Sequence, residues 1–276
     1  MRLASCTYGK GAVRVMRVDR AQPRHAVREL TVRVMLEGGF DASFTAGDNG
    51  AVIATDTIKN LVNIVARENL AAEAEAFAAA LATRFLDRYP HVQSVTVGTE
   101  ETRWRRLGET HDHAFTLDGN GTPTVALRLE RDRTATLRSG IAGFTFMKST
   151  QSGWVGYYRD DVTTLPETTD RILATAMTAT WAWSTPPDRY ERANAAVLEA
   201  MLARFAGEYS PGIQHSMFRM GSAALDAVPE LADVRMACPN KHYLPIRLDG
   251  FGLDNANQVF TPTDEPHGQI ECTVAR

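Results

Sequence analysis

No apolar run in this sequence approaches the roughly 20 residues that a bilayer-spanning helix needs, so no membrane partner is expected. Excess charge of one sign is missing as well. Thirty Lys and Arg against 33 Asp and Glu leave a net charge of -3, which provides neither a broad basic surface for nucleic acid nor an acidic tail. Cysteine is scarce. Cys6, Cys238 and Cys272 are odd in number and form no Cys-x-x-Cys pair, which predicts reduced thiols rather than a disulfide scaffold. The N-terminus, Met1-Arg2-Leu3-Ala4-Ser5-Cys6, lacks the apolar stretch of a signal peptide. The sequence also has no phosphate-cradling P-loop, no Gly-x-Ser-x-Gly nucleophile elbow and no dinucleotide fingerprint. What remains is a folded chain of 276 residues, 44% hydrophobic, enough for one large or two medium domains.

Periodicity is present, and it occurs twice. In the first half Val13 and Val15 alternate with Arg14, and Leu30, Val32, Val34 and Leu36 alternate strictly, the pattern of strands with one buried and one wet face. Gly38-Gly39 and Gly47-Asp48-Asn49-Gly50 read as loops. Ile58, Leu61, Val62 and Val65 then recur at helical spacing, with Thr55 or Asp56 as the expected N-cap. Ala74, Phe77, Ala78, Leu81 and Phe85 predict a second helix stopped near Pro90, after which Val95, Val97, Val125, Leu127 and Leu129 return to strand period.

The second half repeats the plan. Phe144, Phe146 and the stretch Thr178 to Trp183 read as extended, and Val197, Leu198, Met201, Leu202 and Phe205 as a helix broken by Ser210-Pro211-Gly212. Ile213, Met217, Met220, Ala224 and Val228 predict a fourth helix, and Val234, Met236, Ile270, Cys272 and Val274 further strands. Tyr89-Pro90 ahead of Val95 matches Val228-Pro229 ahead of Val234. The pattern predicts an α+β fold of two halves, 1–137 and 138–276, each an antiparallel sheet with paired helices on one face. Open sheet edges favour association.

Several polar residues fit neither stripe. Lys10, in Tyr8-Gly9-Lys10 ahead of the first strand, is by itself read as a solvated lysine. Thr55-Asp56-Thr57 caps a helix, but a helix N-terminus also presents free amides and a positive dipole end to an anion. Arg171 alone suggests a surface ion pair with Asp170 or Glu167, and its planar fork also suits a flat anionic ring. Gln214, at a helix start, offers a donor and an acceptor in one amide. Asn240 and His242, at the end of a strand, share a face by alternation, although Asn-x-His alone reads equally as a turn. His111-Asp112-His113 has no third ligand at zinc-like spacing, and no metal is assigned to it.

As quoted, these segments resemble the urate oxidase family. Tyr8-Gly9-Lys10 with Val13-Arg14-Val15, Ala54 through Asn60, Met147-Lys148-Ser149-Thr150, Leu165 through Leu173, Ile213-Gln214, Pro239 through Tyr243, and Cys272-Thr273-Val274 carry the likeness over nearly the whole chain. The resemblance implies two tandem tunnelling-fold (T-fold) halves that complete barrels as a homotetramer. It also implies oxidation of urate by O2 and water to 5-hydroxyisourate and hydrogen peroxide, with O2 as co-substrate and neither cofactor nor metal.

By resemblance Lys10, Thr55 and His242 are catalytic and move protons, while Asp56, Trp154, Arg171, Ile213, Gln214 and Asn240 hold the substrate and oxygen. The family likeness further implies that Lys10, Thr55 and His242 come from one subunit and Arg171, Gln214, Asn240 and Trp154 from its neighbour. Trp154 stands where the family usually has a stacking phenylalanine. Eukaryotic members often end in a Ser-Lys-Leu-type peroxisomal address. This sequence ends Thr273-Val274-Ala275-Arg276, so a cytoplasmic location is expected.

Two other readings stand beside this one. Another tunnelling-fold enzyme acting on a pterin or related heterocycle is opposed by the lack of a Cys/His metal set. A non-catalytic urate-binding protein is opposed by Lys10, Thr55 and His242, which binding alone does not need.

Overall fold

The strict alternation of Leu30, Val32, Val34 and Leu36 becomes the central strand of a helix-covered sheet in the computed structural model, which describes residues 1–70 and 73–276. The chain divides into two units, Met1–Gly140 and Ile141–Arg276. In the first unit β1 (Tyr8–Asp19), β2 (Ala26–Gly38), α1 (Asp41–Thr45), α2 (Thr55–Asn69), α3 (Ala74–Arg88), β3 (Val92–Thr102), β4 (Trp104–Arg106), β5 (Phe115–Leu117) and β6 (Thr122–Glu130) follow in order. The strands pair antiparallel in the order β1-β2-β3-β6.

The core face of this sheet meets Ile58, Leu61, Val62 and Val65 of α2 and Phe77, Ala78, Leu81 and Phe85 of α3, all buried. Each large apolar side chain removed from water there stabilises the unit by about 1.5–3 kcal/mol. The opposite face is polar and laced by ion pairs: Arg14 with Glu29 at 2.6 Å, and Arg128 with Glu37 at 2.7 Å. The β4–β5 hairpin and the one-turn helix α1 were not legible in the sequence, because three-residue strands and a five-residue helix carry no period to detect.

The second unit is built alike. Strand β7 (Ala135–Lys148) spans the unit boundary, and β8 (Leu173–Trp183), α4 (Tyr190–Gly207), α5 (Ile213–Ala227), β9 (Leu231–Pro245) and β10 (Phe260–Ala275) follow, the strands in the order β7-β8-β9-β10. Met177, Ala179 and Trp181 of β8 pack with Val197, Met201 and Phe205 of α4 and with Met217, Met220 and Ala224 of α5. Trp181 is 1% exposed and donates its indole N–H to the Asn194 amide oxygen at 2.9 Å, so its one polar atom is satisfied. Val228 lies just past α5 in extended backbone rather than within it, as its position before Pro229 requires.

The duplication is written most plainly in two arginines. The first unit's last helix, α3, ends at Arg88, and Arg131 donates to the carbonyls of Leu86 (2.7 Å), Tyr89 (2.6 Å) and Val92 (2.8 Å). In the second unit Arg276 donates to the carbonyls of Leu225, Val228 and Leu231, the same spacing of three and three. Each guanidinium satisfies carbonyls that a helix end and the following turn leave without partners.

Candidate active site

Lys10 lies inside β1 rather than ahead of it, and the register explains where it points. Lys10 pairs with Val34, whereas Val13 pairs with Val32, so one extra residue is accommodated at Gly11-Ala12, and Ala12 adopts a positive φ of 52°. A bulge of this kind re-aims side chains. Opposed residues share a face, so both Lys10 and Val13 fall on the helix side of the sheet. In an unbroken strand residues three apart would lie on opposite faces.

Helix α2 begins at Thr55, and its N-cap is Ala54, which makes no side-chain cap bond. Thr55 and Asp56 are therefore the first two helical residues, not the cap. The Asp56 carboxylate instead accepts from Lys59 and, at 3.0 Å, from the Asn60 amide. The Lys59 hydrogen bond and charge, with smaller help from Asn60 and from the charge of Lys10, hold the Asp56 carboxyl below the usual carboxylate range. The first unit thus gathers a lysine, an exposed hydroxyl and the free amides of a helix start.

The second unit gathers the rest. A cleft of about 380 Å³ is lined by Trp154, Arg171, Asn240, His242, Tyr243 and Phe260, among others. That volume lies within the range of small-molecule sites. Asn240 and His242 sit within β9, which continues to Pro245 rather than ending there. Their common face is the one that carries buried Cys238, and opposite them β10 breaks register between Thr263 and Gly268.

The segment carrying Trp154 and Arg171 is irregular, yet it is fixed by backbone bonds. Trp154 N–H donates to the Thr168 carbonyl (2.7 Å), Thr168 N–H to Trp154 (3.1 Å), Arg171 N–H to Ser152 (2.9 Å) and Gly153 N–H to Ser210 (2.9 Å). This close approach needs Gly153, where a Cβ would lie 2.9 Å from the Thr168 carbonyl oxygen. At the start of α5 the buried hydroxyls of Ser210 and Ser216 bond each other at 2.6 Å, and Gln214 remains exposed.

Arg171 is the decisive residue. Its ordinary partners are engaged elsewhere: Asp170 accepts from the Thr150 hydroxyl at 2.7 Å, and Glu167 from the Gly156 N–H at 2.8 Å. Its Nε is buried without a hydrogen-bond partner, and its guanidinium carbon lies 5.8 Å from the centre of the Trp154 ring. Burial pulls the guanidinium down from its ordinary pKa, with the Tyr209 phenol opposing, yet arginine stays charged. A half-buried cation with an orphaned donor has the charge and the free hydrogen-bonding capacity that an anion would use.

The structure brings Trp154, Arg171, Asn240 and His242 to one cleft, and it corrects one expectation. His242 does not part from Asn240: two residues apart on one strand face, they line the same cleft as Arg171 and Trp154, so all four belong to one protomer. Ile213 is 4% exposed and packs into the helix–sheet core, which anchors the start of α5. Tyr157 was missed. Its ring lies parallel to the Trp154 indole, with centroids 5.7 Å apart and planes at 11°, and Arg159 sits 5.6 Å from the far partner of that stack. The His111-Asp112-His113 segment serves structure, its first two carbonyls receiving the Arg106 guanidinium. Among the described residues no cluster of His, Cys, Asp or Glu is arranged to hold a metal, and no helix is long and apolar enough to cross a membrane.

Comparison with known proteins gives the family and the fold. The family model described as Uricase matches residues 6–128 and 137–271. A uricase of Cyberlindnera jadinii is 40% identical over 99% of this chain and 97% of its own length, and one from Arthrobacter globiformis is 39% identical over 98% and 88%. The crystal structure of the Arthrobacter globiformis uricase superposes with a TM-score of 0.96 at 38% identity, covering 100% of this chain and 95% of that one. A urate oxidase structure from Bacillus sp. TB-90 superposes with a TM-score of 0.87 at 25% identity, covering 98% of this chain and 100% of that one.

Proposed function

The chain belongs to the uricase family, and on that premise we propose that its second-unit cleft holds urate while Lys10 and Thr55 of a neighbouring subunit supply a path for protons. It is an oxidoreductase of the tunnelling fold that oxidises urate. The observation that carries the site assignment is Arg171, a desolvated guanidinium with no carboxylate partner among the described residues, in a cleft walled by an indole.

In this reading the Arg171 fork and the Gln214 amide grip one edge of the flat anion, whose mixed donors and acceptors match both groups. The Asp56 backbone amide at the start of α2 meets another edge. Trp154 stacks on the ring. O2 reacts slowly with closed-shell organic molecules, so a site that uses no cofactor must make its substrate electron-rich. Stabilising deprotonated urate does this. Lys10 and Thr55 carry the proton away, and His242 passes a proton near the oxygen site, the task for which imidazole is suited at neutral pH. Asn240 holds O2 and then the attacking water against the ring. Two electrons pass from the urate anion to O2, two protons complete hydrogen peroxide, and water adds to carbon to give 5-hydroxyisourate.

Each site is completed by a neighbouring subunit, whose Lys10, Thr55 and Asp56 face the cleft, and four chains assemble with their sheets closed into barrels. Each half, 1–137 and 138–276, is one tunnelling-fold repeat, and the protein works in the cytoplasm. The test is to follow urate absorbance and O2 together with purified protein. One-to-one consumption unaffected by a chelator is expected. Urate binding without O2 uptake would favour a non-catalytic binder, and loss of activity on chelation would favour a metal-dependent relative.

A further inference from the structure

Gly212 precedes Gln214 at the start of α5, and its backbone does not ask for glycine. Its φ of 174° is extended, a conformation open to any residue. Space asks for it instead. A Cβ built there would lie 2.8 Å from Cζ3 and 3.1 Å from Cε3 of Trp154, and 3.3 Å from the Gln214 amide oxygen. Gly212 is buried, and the indole it faces cannot slide freely, because Tyr157 lies parallel to it and the backbone on either side of Trp154 is bonded to Thr168 and Ser210. The atoms in collision belong to the six-membered ring of the indole, the part a phenylalanine side chain would place elsewhere.

We infer that Gly212 and Trp154 form one specificity element, in which the missing Cβ at 212 admits the indole and so sets the width of the ring-binding slot between the stacking wall and the Gln214 amide. The inference rests on the assignment of this cleft to urate. The wider π-face of an indole covers both rings of a fused bicycle, so the pair favours a bicyclic ring over a single-ring analogue. It also ties the wall to the clamp, because whatever moves at 212 displaces Trp154 and Gln214 together.

A double-mutant comparison of the full-length enzyme tests this: wild type, G212A, W154F and W154F/G212A, each measured for urate KM and kcat and for Tm. In the wild-type background G212A is expected to raise KM about ten-fold or more with kcat within about three-fold, and to lower Tm. In the W154F background the same substitution is expected to change KM less than about three-fold and to leave Tm nearly unchanged. Equal penalties in both backgrounds, including failure to fold in both, would overturn the coupling, and so would no penalty in either. The Tm comparison needs no substrate. If it shows the coupling while wild type consumes no urate, the packing pair stands and the urate assignment falls.

Discussion

Arg171 is a cation taken partly out of water whose Nε has no hydrogen-bond partner among the described residues, and that state costs the folded chain stability. A buried donor left unpaired is worth about 1–3 kcal/mol against the fold. Arg171→Met should therefore raise Tm by about 2–4 °C, since about 1 kcal/mol moves Tm by that much in a chain of this size, while raising urate KM by more than about ten-fold. Calorimetry with and without urate reads both effects, and an unchanged KM would remove Arg171 from the clamp.

Glu208 is the opposite case. Hydrogen bonds from Arg219 and Arg204 pull its carboxyl down to about 2. A carboxylate whose folded pKa is depressed stabilises the fold above its ordinary value near 4.5, and that contribution fades as pH falls toward about 2. E208Q should be less stable than wild type near neutrality, where the carboxylate's contribution is fully present, and its acid unfolding should show a weaker pH dependence between those values. Both residue types were visible in the sequence. What was not visible is that Asp170 and Glu167, the obvious partners of Arg171, bond to Thr150 and Gly156 instead.

Among the elements, the amphipathic helices and alternating strands could be read because burial on one face imposes a period on the sequence. The devices that aim the functional groups carry no period. The bulge at Gly11-Ala12 turns Lys10 to the helix side, yet it is only one extra residue in a ladder whose flanking pairs, Lys10 with Val34 and Val13 with Val32, lie 24 and 19 positions apart. The arginine caps are equally hidden, since Arg131 lies 39 or more residues from the carbonyls it holds, and Arg276 at least 45. They are open to test together. Arg131→Ala and Arg276→Ala should each cost about 1.5–3 kcal/mol per charged hydrogen bond effectively lost, measured by chemical denaturation. A large loss at one and none at the other would mean that the two units do not share this device.

For the whole molecule, the proposed sharing of each site between subunits, with His242 beside Asn240 in one cleft, predicts which half-sites can rescue one another. Co-assembled Lys10→Ala and Arg171→Ala chains should regain part of the activity that each lacks alone, because some interfaces then join an intact cleft to an intact Lys10. Co-assembled His242→Ala and Arg171→Ala chains should regain none, since both substitutions fall in the same cleft. Rescue in the second pairing, with mixing verified by native mass spectrometry, would return His242 to the side of Lys10.

By itself the sequence determined the α+β pattern and supplied the residue types of the proposed site, because buried faces and motif chemistry are local properties of a chain. Only the tertiary structure decided which face Lys10 occupies, that the Arg171 Nε has no hydrogen-bond partner among the described residues, that Ile213 packs into the core, and that Gly212 leaves room for Trp154. Each of these depends on a neighbour far away in the chain. Register, burial and collision are properties of pairs of residues, and no pattern along one strand of sequence encodes them.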